Sequence, residues 1–167
     1  MKYNYQRTSV KQIPAAMRDI NWRSGTFNLD LGGGKFDLAT KFLKTKEVTN
    51  IIYDPYCGAR IKLLLAMAYG IRDGYDTVTL LNVLNVIPTR KERLTVLRLA
   101  LVLKKRLGKL YVSVYSGDRS GKPSVSKYNT WQANRELEWF LPEIKKVFGE
   151  RGVWLVRKRH IKYYVVY

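Results

Sequence analysis

The residues best suited to chemistry fall in three short stretches: Asp30-Leu31-Gly32-Gly33-Gly34, Asp54-Pro55-Tyr56 and Asn82-Val83-Leu84-Asn85. The glycine run lets the backbone turn tightly and approach a ligand that any Cβ would obstruct. A helix begins behind it, at about Phe36, and points its free N–H groups and positive dipole end at the same place. Asp54 follows roughly twenty residues later, the distance at which a dinucleotide-type fold sets an acid on ribose hydroxyls. Each stretch also has a plainer reading. Glycine runs serve as turns, Asp54-Pro55 can simply end a strand, and Asn82 and Asn85 can cap polar backbone. Asp37 meets the helix dipole or steadies the glycine loop.

The elements that must position these residues can be placed in order. Residues 2–12 form a polar, basic arm carrying Tyr3, Tyr5, Arg7 and Lys11, whose tyrosines rest on the surface. Pro14 opens a short helix ending near Trp22. The first strand is Phe27 to Leu31, and a helix runs from about Phe36 to Leu43. Val48 to Tyr53 is an unalternating apolar run, as in strands of a parallel sheet buried on both faces. A helix from Ala59 to Tyr69 carries Ile61, Leu64, Leu65 and Ala68 on one face. Asp76 to Leu81 is the next strand. Thr89 and Glu92 form a capping box for a helix to about Arg106, stopped by Gly108. Leu110 to Tyr115 is a strand, and Ser116 to Thr130 a loop long enough to suggest function. A last helix spans Trp131 to Phe148, broken at Pro142. Val153–Val156 and Ile161–Tyr167 close the chain as a hairpin turning at Arg157–His160.

This alternation implies an α/β fold: a mostly parallel sheet, helices on both faces and a C-terminal antiparallel hairpin. Too few residues separate the second strand from the one at Asp76 for a helix-strand-helix crossover, so one element is missing there. Residues 1–25 read as an arm and short helix, and 26–167 as one domain.

The 167 residues include 46% hydrophobic ones, which argues against disorder. The net charge of +18 favours a polyanionic partner such as nucleic acid, or an anionic membrane surface. A basic bias with no partner attached is the alternative. One cysteine, Cys57, and one histidine, His160, leave no disulfide, no Cys-rich zinc site and no expected metal. Cys57 reads as a packing residue. Met1-Lys2-Tyr3-Asn4 has no apolar run behind it, and no stretch reaches membrane-spanning length. A cytoplasmic setting without membrane partners is expected.

With the three stretches at successive strand tips, the chain resembles class I S-adenosylmethionine-dependent methyltransferases of Rossmann-like fold. It is most similar to small members associated with DNA modification and defence loci, over roughly residues 26–115. The resemblance implies S-adenosylmethionine as cofactor. Gly32, Gly33 and Gly34 would approach its methionine part, and Asp30 would help hold its amino group. Asp54, with Pro55 and Tyr56, would take the ribose hydroxyls. Asn82 and Val83 would floor the site beside the sulfonium. Phe36 stands where the pattern has a third glycine, so its ring is expected to narrow or redirect the pocket, and Lys35 adds a cation nearby. The Pro-Pro tetrad of amino-methylating DNA enzymes is absent after Leu81.

The leading functional expectation is methyl transfer to a nucleic acid or nucleotide. Asn85 and Tyr56 are the candidates for positioning the acceptor, as is the loop 116–130. Arg119, Lys122, Lys127, Arg157, Lys158 and Arg159 would meet phosphates. A protein partner could supply target recognition. The alternatives are a non-catalytic nucleic-acid-binding or complex subunit of the same fold, and an enzyme that cleaves S-adenosylmethionine.

Overall fold

The computed structural model describes residues 3–8, 11–57 and 60–167. Met1, Lys2 and the expected helix start at Ala59 lie outside them. The strands are β1 (Phe27–Leu31), β2 (Thr49–Tyr53), β3 (Tyr75–Leu81), β4 (Lys104–Ser113), β5 (Ser124–Val125), β6 (Trp131–Gln132), β7 (Val153–Lys158) and β8 (Ile161–Val166). The helices are α1 (Ala15–Asp19), α2 (Leu38–Lys44), α3 (Arg60–Arg72), α4 (Arg90–Leu103) and α5 (Leu141–Phe148). Six strands form one sheet in the order β2-β1-β3-β4-β8-β7. The first four are parallel and β8 and β7 antiparallel, as expected.

Strand periodicity sorts the core onto two faces. Leu29, Leu31, Val78, Leu80, Leu110 and Val112 pack with Ala66 of α3, Leu97 and Leu103 of α4 and Ile144 of α5. On the other face Leu81, Tyr111, Tyr163 and Val165 pack with Met17 of α1 and Leu43 of α2. Asn28 and Asp30 alternate with Leu29 and Leu31 yet are buried. A polar seam therefore crosses the sheet. Asn50 donates to Thr40 at 2.9 Å, and Asn28 donates to Asn50 at 2.7 Å and to the Thr79 hydroxyl at 3.2 Å. Thr79 donates to Asp30 Oδ1 at 2.9 Å.

The element missing after β2 leaves that strand at the sheet edge, and α3 returns directly to β3. This changes which face of α3 is buried. Ala66 and Gly70 face the core, whereas Leu64 and Leu65 are exposed, and Ala68 with them. Gly70 lets the helix settle on Leu103 and Tyr75.

Several boundaries differ from the sequence reading: α1 ends at Asp19 and not near Trp22, α2 starts at Leu38 and not Phe36, and β7 runs on to Lys158, which shortens the hairpin turn. Helix α4 ends at Leu103, because Lys104 turns extended and pairs with Tyr75 at a bulge. Gly108 lies inside β4, where a Cβ would sit 2.8 Å from the Tyr75 carbonyl oxygen. Residues 131–148 are not one helix. They form β6, a 3-10 turn at Leu137–Phe140 and α5. Asn134 holds a positive φ of 52° and Glu136 is extended, so helix cannot start earlier. Pro142 then opens α5 in its first turn, where a missing N–H costs little. β5, inside the expected loop, pairs antiparallel with β6 just after it. No described helix is long and apolar enough to cross a membrane.

Candidate functional site

The carboxyl ends of β1, β2 and β3 lie side by side, with Leu31 opposite Tyr53 and Asp30 opposite Thr79. The chain leaves β1 through a turn that only glycine fits. Gly32 has φ +82°, and its N–H donates to the Tyr53 carbonyl at 2.8 Å. A Cβ there would lie 2.7 Å from Cγ2 of Val83. At Gly33 a Cβ would lie 2.5 Å from Asp30 Oδ2. The turn thus brings bare backbone against the acid on one side and the Asn82-Val83 segment on the other.

Asp30 is 5% exposed, and burial raises its carboxyl from the ordinary range to about 6, with the Thr79 hydrogen bond opposing and the Asp54 charge reinforcing the rise. No cation pairs with it among the described residues. A buried carboxylate without a counterion is costly, and a cationic ligand would relieve it.

Asp54, 8% exposed, acts as both turn residue and wall of the site. Its Oδ2 accepts from the Gly34 N–H at 2.9 Å. Its Oδ1 accepts from the N–H groups of Tyr56 at 2.9 Å and Cys57 at 3.1 Å. Three of its four lone-pair directions are therefore used by the backbone, and the Cys57 thiol bonds the carboxylate as well. The strand-ending turn and the ligand-facing acid are the same structure. Burial, with Asp54 nearby, pushes the Cys57 thiol up, which suits packing and not nucleophilic attack.

Asp30, the glycine turn and Asp54 line a cavity of about 250 Å³ together with Tyr53, Pro55, Tyr56, Asn82 and Val83. Every residue expected to bind cofactor is brought together there. Phe36 is in its wall, as its place in the glycine pattern implied. Lys35 is exposed, outside the lining, with its ammonium 5.3 Å from the Phe36 ring. Tyr5 also lines the cavity and stacks on Tyr56 with ring centroids 4.3 Å apart. The N-terminal arm is thereby part of the site, tied further by Asn4 N–H to the Asn129 carbonyl and by Arg7 over the Tyr128 ring.

A wider groove of about 1000 Å³ opens beside the cavity, over the ends of β3 and β4. Gln12, Pro14, Asn82 and Val86 border both. Asn82 has φ +62°, an uncommon backbone state for a non-glycine residue, at this shared wall. Asn85 lines the groove, and Tyr56 does not.

The two compartments differ in charge. The cavity lining contains Asp30 and Asp54 and, among the described residues, no lysine, arginine or histidine. The groove lining contains Arg18, Arg119, Arg157, Arg159 and Lys162 against one carboxylate, Glu136. Arg119 and Lys162 contact Glu136 at 3.2 and 3.3 Å, and Arg157 contacts Glu138 at 2.7 Å. Among the described residues Arg18 and Arg159 have no carboxylate partner.

Of the six cations expected to meet phosphates, Arg119, Arg157 and Arg159 reach this groove. Lys122 and Lys127 are exposed and outside its lining, and Lys158 pairs with Asp19 at 2.7 Å. Sequence reasoning missed Arg18, Lys162, Gln132 and Trp131 as groove residues and Tyr5 as a cavity residue. The one available signal was the mixing of tyrosines and cations in the arm.

The fold is shared with solved structures. An O-methyltransferase family protein from Burkholderia thailandensis superposes with a TM-score of 0.56 at 18% identity, over 84% of this chain and 50% of that one. A protein from Nostoc punctiforme, described provisionally as an O-methyltransferase, gives 0.54 at 12%, over 91% and 54%. PigF, solved with SAH, gives 0.53 at 15%, over 90% and 52%. The chain spans about half the length of each of these proteins. No family profile and no curated protein matches it. The shared feature is the mixed α/β architecture.

Proposed function

We propose that this chain binds S-adenosylmethionine in the cavity and directs methyl transfer to a nucleic acid or nucleotide lying in the groove. The observation that carries this reading is the charge division: in a chain of net charge +18, no described lysine, arginine or histidine lines the cavity that holds two carboxylates. A pyrophosphate would find no counter-charge there, so a dinucleotide is a poor fit. A nucleoside carrying positive charge is a good one. The residues fit the cofactor on their own chemistry. Gly32 and Gly33 form a cradle that any Cβ would fill. Asp30 offers a buried carboxylate to an ammonium, and Asp54 presents a second carboxylate to the same cavity.

When bound, the cofactor supplies an electrophilic methyl on a sulfonium. The protein's part is positioning and exclusion of water rather than strong acid–base chemistry. The Asn82-Val83 segment divides cavity from groove, Tyr5 and Tyr56 cover the cavity, and the groove cations hold the acceptor's phosphates. The fold shared with a solved O-methyltransferase family protein and with PigF, which holds SAH, supports the cofactor. In this reading residues 26–167 form the catalytic domain and 1–25 its cover. The setting is the cytoplasm, in nucleic-acid modification, with a partner protein contributing target recognition.

Titration calorimetry tests the reading. S-adenosylmethionine is expected to bind at one site, and D54N to weaken it at least tenfold. No heat at millimolar ligand would remove the cofactor from the account.

A further inference from the structure

The groove floor contains an unanswered hydrogen-bond acceptor. Asn85 is 2% exposed, and its Oδ1 is the one buried side-chain polar atom without a partner among the described residues. Its amide orientation is fixed. Asn85 Nδ2 donates to Gln132 Oε1 at 3.1 Å, and Gln132 Nε2 donates to the Tyr115 carbonyl at 2.9 Å. A carbonyl can only accept, so the relay is anchored at Tyr115 and runs one way. Flipping Asn85 would set two oxygens face to face. An orphaned buried acceptor costs about 1–3 kcal/mol and calls for a partner. Asn85 also receives the Ala133 N–H on its backbone carbonyl at 2.8 Å, which fastens the floor to β6.

Two aromatic side chains and two unpaired arginines surround this floor. Tyr115 is 63% exposed and Trp131 half-buried, and both line the groove. Arg18 and Arg159 are exposed in the same lining. Aromatic faces, an amide acceptor and a cationic border match the three parts of a nucleotide unit: base face, base edge and phosphate. A base inside a duplex keeps its reactive edge within the stack, so only an unpaired or extruded one reaches a groove floor.

We propose that the groove receives a single-stranded nucleic-acid segment, with one base against Tyr115 and Trp131, its N–H edge donating to Asn85 Oδ1, and flanking phosphates on Arg18 and Arg159. Gln132, held by the Tyr115 carbonyl, engages Asn85 Nδ2 and so leaves Oδ1 as the acceptor for that edge. Asn85 is a specificity residue for that base, and the arginines supply affinity without selectivity. The inference rests on the nucleic-acid acceptor reading above, but its test needs no cofactor.

Fluorescence anisotropy on the full chain would compare three probes: a mixed-sequence single strand of about 12 nucleotides, an abasic strand with the same phosphates, and the duplex. The parent is expected to bind the base-bearing strand about tenfold more tightly than the abasic one, since stacking alone contributes roughly 1–3 kcal/mol per base. Asn85→Leu is expected to shrink that ratio to about threefold and leave abasic affinity unchanged, with the thermal midpoint read alongside to show that the variant is folded. Tyr115→Ala, at an exposed position, should shrink it likewise. Arg18→Ala and Arg159→Ala should weaken both strands alike and each reduce the salt slope by about one. Equal parent affinity for base-bearing and abasic strands, an unchanged ratio in N85L and Y115A, or tighter binding of the duplex would overturn the proposal. Loss of S-adenosylmethionine binding with these results intact would remove only the cofactor reading. Intact cofactor binding without them would remove the nucleic-acid acceptor.

Discussion

Gly33 and Asp30 are in mutual contact through an absent atom: a Cβ on the glycine would lie 2.5 Å from Oδ2 of the acid and 2.7 Å from its Cγ. The glycine run is therefore shaped around the carboxylate as well as around a ligand. Gly33→Ala must displace Asp30 or the turn, at a cost of roughly 1–3 kcal/mol for overpacking. Chemical denaturation should register that loss, and calorimetry a fall of at least tenfold in S-adenosylmethionine affinity. An alanine variant with parental stability and affinity would mean that the turn has room to spare.

Asp30 opposes stability and ligand binding to one another. Its carboxyl is raised to about 6 by burial, so the folded protein binds a proton more tightly than the unfolded chain does. The protonated acid stabilises the fold at low pH, and this contribution is lost as pH rises from about 4 through 6, up to about 3 kcal/mol in all. A cationic ligand prefers the ionised form, so its affinity should rise over the upper part of that window and level off above pH 7. Asp30→Asn should raise the thermal midpoint at pH 7.5, weaken the cofactor about tenfold or more, and flatten its pH dependence. Unfolding and calorimetric series across pH 5–8 read both signs.

Arg93 and Glu143 join α4 to α5 through two hydrogen bonds of 2.8 and 2.7 Å, each residue at most 5% exposed. Arg93 also donates to the carbonyls of Ile87 and Pro88, and Ile87 lines the cavity. Breaking a buried pair strands a charge. Arg93→Met or Glu143→Leu alone should therefore cost about 3–5 kcal/mol, with the double variant recovering much of it. A double-mutant cycle in denaturant measures the coupling.

Tyr5 closes the cavity by stacking on Tyr56. Tyr5→Ala is expected to speed S-adenosylmethionine release several-fold in stopped-flow displacement while leaving the thermal midpoint within about 1 °C, because surface substitutions fall within about ±0.5 kcal/mol. Unchanged release would mean that the arm does not cover the ligand.

The site was largely legible in the sequence because its backbone logic is local. A glycine turn, an acid at the next strand tip and Asn82-Val83 each follow a strand directly, so topology alone assembles them. Gly108 misled because glycine ends helices and also permits close strand approach, and only the Tyr75 bulge decides between them. Residues 131–148 misled because apolar periodicity hid the left-handed Asn134. The charge division was not legible. Arg18, Arg119 and the hairpin pair Arg157 and Lys162 come from three segments far apart in the chain, and only folding separates them from Asp30 and Asp54.

The central claim is that the cavity selects a positively charged nucleoside. Calorimetry at pH 7.5 with S-adenosylmethionine and, separately, ATP tests it most directly. The account predicts one-site binding of S-adenosylmethionine, weakened in D30N and D54N, and no measurable ATP binding in the cavity. Binding of ATP as tight as that of S-adenosylmethionine, or no S-adenosylmethionine binding at millimolar concentration with both variants indistinguishable from the parent, would contradict it.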